Sequence, residues 1–246
     1  MMLRKTVRFM CVLLTTLSLG FALTGAAADF NKAFYAYGKG DYKTAIEEWK
    51  ILANQGDAKS QEFLAYMYIS GQGVPEDLTK AVQWFRRAAE QGYAPAQYSL
   101  GLMYIEGRGV SQDFTKGVQW YRLAAEQGEI DAQSILGAMY YQGQGVPQDY
   151  AEAAQWYRRA AEQGEIDAQF VLGLMYYNGI GVTRNPVMAY VVSNLAAAQG
   201  HKKAREVRNA SAYTLSREQI AEGQRMTSEW RVGTPLPYFK DFKTWP

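Results

Sequence analysis

Apolar positions recur along this chain with two periods. In one stretch, Ala96, Leu100, Met103 and Tyr104 follow the i, i+4, i+7, i+8 spacing of one helical face. A second helical face follows in each cycle, carried by Ala81, Trp84 and Ala88 in one and by Gly117, Trp120 and Ala124 in the next. The longer period is 36 residues. Gly56, Gly92, Gly128, Gly164 and Gly200 mark it, and Leu64, Leu100, Leu136 and Leu172 return in step, as do Met67, Met103, Met139 and Met175.

A single helix pair cannot bury its own apolar stripe, so neighbouring pairs must stack into one continuous core. The pattern therefore predicts an all-α chain, an α/α solenoid of stacked helix-turn-helix repeats. The alanine pairs Ala88-Ala89, Ala124-Ala125, Ala160-Ala161 and Ala196-Ala197 allow close helix approach, and Trp84, Trp120 and Trp156 are expected in the core beside them.

Four complete units occupy 56–91, 92–127, 128–163 and 164–199, within a solenoid spanning 29–212. Residues 30–55 form a shortened first unit in which Asp41, Ala45 and Trp49 echo a second helix. Residues 200–212 form a polar cap, because Ala204 keeps step while Arg208 and Asn209 replace the Leu-Gly pair. A C-terminal helix and extended tail fill 213–246. Ser216 and Gln219 have capping-box spacing, Ile220, Met226 and Trp230 supply an apolar side, and an aperiodic, proline-rich tail begins near Val232.

Between paired helices lie "GQGVPED" at 71 to 77 and its variants "GRGVSQD", "GQGVPQD" and "GIGVTRN". A phosphate loop of this composition would follow a strand, and here a helix precedes it. The structural reading accounts for each residue: Gly71 stops the helix in a left-handed conformation, Gly73 permits the reversal, Val74 packs back and Asp77 caps the next helix.

The first 28 residues change the picture of where the chain works. Arg4, Lys5 and Arg8 precede an apolar run from Phe9 to Leu23, and Ala26-x-Ala28 supplies small residues, which predicts a signal peptide cleaved after Ala28. A retained anchor is the competing reading of that run. With cleavage, the protein is periplasmic or secreted, without stable membrane insertion. Lys and Arg number 26 against 24 Asp and Glu, and the leader holds three basic residues and no acid, so the mature chain has 23 against 24. Its net charge near −1, with no single-sign block, gives no support for nucleic-acid binding. Cys11, the sole cysteine, lies in the leader, so packing alone must hold the fold.

Little chemistry is indicated. His201 is the only histidine, is expected to face solvent, and has no second His or Cys for a metal or a nucleophile pair. No cofactor, metal site or catalytic residue is predicted. The acids of "EID" at 129–131 and 165–167 suit helix starts. Arg86, Arg122 and Arg158, each four residues before Glu90, Glu126 and Glu162, suggest a solvated salt-bridged face.

The stretch "AQYSLGLMYIEGRGVSQDFTKGVQWYRLAAEQG" resembles the Sel-1-like repeat, a tetratricopeptide relative, and the resemblance covers residues 56 to 199. It implies a right-handed solenoid, in an exported bacterial-type member, that serves as a non-catalytic protein–protein interaction scaffold or adaptor. Cysteine-rich secreted members have been linked to β-lactams, which keeps a cell-wall-directed enzyme or enzyme modulator as the alternative. This chain lacks their paired cysteines, a Ser-x-x-Lys motif and a Lys-Thr-Gly.

Comparison of the units separates what stacking requires from what is free to vary. One stripe of the first helix reads Glu62, Tyr66, Ile69; then Tyr98, Leu102, Ile105; then Ser134, Ala138, Tyr141; then Phe170, Leu174, Tyr177. It changes between units yet stays largely apolar. First helices are expected to line the concave side of a solenoid. The partner-binding residues are accordingly placed at Tyr66, Ile69, Tyr98, Leu102, Ile105, Tyr141, Phe170, Leu174 and Tyr177, in a groove for a protein or peptide. Packing between adjacent first helices is the competing reading of the same side chains.

Overall fold

A computed structural model describes residues 28–237; the leader through residue 27 and the tail from residue 238 lie outside the described residues. The described chain is helical throughout, with twelve helices in sequence. They are α1 (Phe30–Gly38), α2 (Tyr42–Asn54), α3 (Ala58–Ser70), α4 (Leu78–Glu90), α5 (Ala94–Glu106) and α6 (Phe114–Glu126). There follow α7 (Ile130–Gln142), α8 (Tyr150–Glu162), α9 (Ile166–Asn178), α10 (Pro186–Ala198), α11 (Lys202–Ala212) and α12 (Arg217–Glu229). From α1 to α11 each helix packs on the one before and the one after it, the stacking of an α/α solenoid. The shortened first unit is a real helix pair with a nine-residue first helix.

The loop chemistry is the same in every unit. Gly71 ends α3 with φ 68° and hands its N–H to the Met67 carbonyl, and Asp77 then accepts from the Lys80 N–H to open α4. The second glycine has an additional role. A Cβ on Gly109 would lie 2.3 Å from the carbonyl oxygen of Leu78, at the start of the preceding unit's second helix. This residue sets how closely one unit approaches the next, and only glycine fits.

Leu64, Leu100, Leu136 and Leu172 are fully buried, together with the repeated Met residues. Opposite them stand Phe85, Tyr121 and Tyr157, with Trp49 at the same step of the first unit. The glycine of the Leu-Gly pair makes room for these rings: a Cβ on Gly101 would meet the Tyr121 ring at 2.9 Å. The tryptophan expectation needs correction. Trp156 is buried, but Trp84 and Trp120 are only half-buried, because the residue after each Trp points at the stack while the Trp lies on the shoulder of the helix. Arg87 and Arg159 cover the Trp84 and Trp156 rings at 4.5 Å.

The arginine expectation is also corrected. No Arg86–Glu90, Arg122–Glu126 or Arg158–Glu162 ion pair forms among the described residues. Arg86 Nη2 instead donates to the Tyr104 hydroxyl at 2.8 Å, and Arg122 and Arg158 reach Tyr140 and Tyr176 in the same way. These bonds tie each second helix to the next first helix.

A second ladder is built from glutamine. Gln61, Gln97, Gln133 and Gln169 are buried and donate to the carbonyls of Ala53, Ala89, Ala125 and Ala161 at 3.0–3.1 Å. Their carbonyl oxygens accept from Gln91, Gln127, Gln163 and Gln199. Each buried amide thus satisfies a helix-end carbonyl of the preceding unit and is satisfied by its own, which fixes the register of stacking.

The C-terminus folds back on the second helices. The capping box of α12 forms between Ser216 and Gln219, and α12 lies on α10. Gly223 sits against Tyr190 and Val191, and Met226 is buried. The chain then crosses to the end of α8, where the Gly233 N–H donates to the Glu162 carbonyl at 2.7 Å and the Leu236 N–H to Glu162 Oε1 at 3.0 Å. Leu236 is buried there, and Val232 lies against Gly164 in the turn between α8 and α9, so the described part of the tail is docked at the end of α8.

Candidate protein-binding face

The variable stripe lies along α3, α5, α7 and α9. Tyr66 is its most open member, 43% exposed, and Ile69, Tyr98, Leu102, Ile105, Tyr141, Phe170, Leu174 and Tyr177 are half-buried. Each presents part of its surface and packs with the rest. Tyr66 meets Phe85 edge-on at 5.2 Å, Tyr98 lies 5.5 Å from Tyr121, and Tyr141 meets Tyr150 at 5.0 Å. Ile105 fills the notch left by Gly117, where a Cβ would lie 2.4 Å from its Cδ1. These side chains therefore serve stacking as well as surface, and the two readings of the stripe coexist in the same residues.

The structure adds a relation that the sequence pattern did not reveal. The leading position of the stripe in each unit faces the residue that caps the first helix of the following unit. The pairs are Glu62 with Tyr93, Tyr98 with Glu129, Ser134 with Glu165, and Phe170 with His201. The phenols of Tyr93 and Tyr66 stand near the Glu62 carboxyl and favour its charged form, and the Tyr66 hydroxyl bonds to Ser99 Oγ at 2.9 Å. Ser134 Oγ bonds to Glu165 Oε2 at 3.3 Å, and the His201 ring stacks on Phe170 at 4.6 Å. A 36-residue alignment places both columns, yet only the stacked helices bring them together.

The electrostatics follow the same gradient. Burial pushes the Glu62 carboxyl above its ordinary value, partly offset by the phenols of Tyr93 and Tyr66. Burial, with the Glu62 charge added, pushes the Tyr93 phenol up to about 12. Tyr98 is raised by burial and then by the carboxylates of Asp131 and Glu129. Further along, Gly128 to Asp131 and Gln163 to Ile166 border an open acidic cleft of about 570 Å³.

His201 departs from its expected solvent-facing place. Its Nδ1 accepts the Ala204 N–H at 3.0 Å as the cap of α11, and its Nε2 lies 3.2 Å from Asp167. It is structural. Among the described residues no group of three or more His, Cys, Asp or Glu is placed to hold a metal, and no helix is long and apolar enough to cross a membrane.

The sequence model of the Sel1 repeat family matches residues 58–93, 94–129, 130–165 and 166–201. The chain belongs to the Sel1 repeat family. Its fold is similar to that of a Sel1 repeat protein from Oxalobacter formigenes, at 32% identity and a TM-score of 0.72, over 82% of this chain and 86% of that one. It is also similar to a protective antigen of uropathogenic Escherichia coli with an SLR fold, at 43% identity and a TM-score of 0.65 over 74% of this chain. The chain spans 40% of that antigen's length. A comparison with curated proteins finds no match. Sel1 repeat proteins are in general scaffolds for protein–protein interaction, and the fold is typically non-catalytic.

Proposed function

We propose that this Sel1 repeat protein is a non-catalytic adaptor of the cell envelope that holds a protein partner along the concave groove formed by its first helices. The carrying observation is the change of chemistry along one column of contacts. Between units the loops, the glutamine ladder and the buried leucines stay constant, while the Glu62, Tyr98, Ser134 and Phe170 positions and their facing caps differ at every step. Stacking alone asks for a repeat; a specific partner asks for departures from it along one face, here at the half-buried Tyr98, Ser134 and Phe170 and at the exposed Tyr66 beside the buried Glu62. The basic and apolar leader supports a periplasmic or secreted location.

The test is photocrosslinking in cells, with a benzophenone amino acid at Tyr66, Leu102 or Leu174 and, as controls, at Gln83 or Gln155 on second helices. A discrete adduct from the first-helix positions alone is expected. Equal adducts from the second-helix positions would overturn the groove assignment, and turnover of peptidoglycan or a β-lactam by the purified protein would overturn the adaptor reading.

A further inference from the structure

Among the described residues Glu62 is the one charged side chain in the buried set, 7% exposed. It has no ion-pair partner there. The nearest lysine, Lys59, is on the same helix, but its ammonium sits over the Phe30 ring at 4.3 Å. The groups that do face Glu62 are phenols, Tyr66 from its own helix and Tyr93 from the start of α5, with Glu129 at the start of α7 adding negative charge. Tyr98 stands beside Tyr66 and feels Glu129 and Asp131. Three phenol rings and a desolvated carboxylate are thus gathered at the first-helix face of the first two complete units; Lys59 eases the Glu62 charge from a distance, and no cation among the described residues forms an ion pair with it.

Neutral or apolar side chains would close this space at lower cost, and the same chain shows it. At the equivalent contacts Ser134 bonds to a cap carboxylate and Phe170 stacks on a ring, with no buried charge in either case. Keeping a carboxylate buried without a counter-ion is unfavourable unless something supplies the positive charge. Aromatic faces beside a carboxylate attract a guanidinium or ammonium group through both the ring quadrupole and the full charge.

We propose that the cluster of Glu62, Tyr66, Tyr93 and Tyr98 binds one cationic side chain of the partner, an arginine in preference to a lysine. The proposal rests on the partner occupying the first-helix face and names what that partner presents there. Glu62 forms the charged floor, Tyr66 is the exposed outer wall, and Tyr93 and Tyr98 flank the incoming group. The Ser134 and Phe170 positions further along lack a buried acid.

The probe is N-acetyl-arginine amide, titrated into protein carrying 13C-labelled tyrosine rings, with the uncharged isostere N-acetyl-citrulline amide as control. Saturable shifts of the Tyr66, Tyr93 and Tyr98 signals are expected with the arginine probe alone. Glu62→Gln, which keeps shape and hydrogen bonding, should weaken that binding at least tenfold while thermal unfolding shows the variant folded. Equal shifts with citrulline, or unchanged binding by Glu62→Gln, would overturn the assignment. In cells the two ideas separate. A Tyr66 crosslink to a partner whose capture is indifferent to Glu62→Gln would sink the cationic site and leave the adaptor reading intact. Arginine binding without any first-helix crosslink would do the reverse.

Discussion

Two columns of this solenoid run side by side and obey different rules. The inner column, Trp49, Phe85, Tyr121 and Tyr157, is an aromatic ring in the first four steps, set against Leu and Ala or Gly of the paired helix, and ends at the buried Ser193 of the last unit, against Gly173. The outer column, Glu62, Tyr98, Ser134 and Phe170, makes an equally regular contact with the following unit but changes its chemistry every time. Regular backbone geometry therefore does not enforce regular side chains. Close packing narrows the choice, because a buried ring of the wrong volume leaves a void or a clash unless its neighbours change with it, whereas the half-buried contacts of Tyr98, Ser134 and Phe170 tolerate many partners.

Removing an inner ring should break the contrast most severely. Tyr121→Ala is expected to cost about 3–5 kcal/mol as a large-to-small core change. Trp120→Ala, one residue away on the half-buried shoulder, should cost about 1 to 1.5 kcal/mol. Paired urea unfolding curves give both values, and equal costs would place Trp120 in the core after all.

The glutamine ladder offers an intermediate case, polar yet as constant as the inner rings. Gln133→Ala removes two buried hydrogen bonds, to the Ala125 carbonyl and from the Gln163 amide, each of which keeps one other partner at Gly128, with an expected loss of about 1–3 kcal/mol. Denaturant midpoints at fixed slope read this out, and a change below the scatter of replicate curves would show that water replaces the amide.

The smallest effect, and one of opposite sign, belongs to the outer column. A carboxyl whose pKa is raised on folding stabilises the fold while protonated; that contribution is full below the unfolded value of about 4.3 and is lost as pH rises through the folded one. Glu62 is such a group. Glu62→Gln stays neutral at every pH, so it should match the parent protein near pH 3.5 and melt higher at pH 7. A variant that melts lower at pH 7 would mean that the charge stabilises the fold.

Much of this architecture was legible in the residues. The 36-residue period, the helix-ending glycines, the aspartate caps and the capping box of α12 are local, and their physics is contained in a few neighbouring residues. The stripe from Tyr66 to Tyr177 was legible as a face, since helical spacing puts i, i+4 and i+7 together. What escaped were pairings between helices: Arg86 with Tyr104 in place of Glu90, Gln97 with Ala89 and Gln127, and Glu62 with Tyr93. Such partners are 8 to 31 residues apart, and periodicity shows that a contact repeats without showing which side chains meet.

The C-terminus marks the boundary between the two kinds of information. Met188, Val191 and Leu195 of α10 stand where α4 carries Lys80, Gln83 and Arg87. That substitution of apolar for polar residues was already in the sequence as a helix with no wet face. By itself the sequence determined that units stack, where each begins and which face of a first helix varies, because those follow from local spacing. Only the tertiary structure decided that α12 covers α10 and that Leu236 is buried against the third unit. An apolar face specifies that it must be covered, and the cover is chosen by which distant segment can reach it.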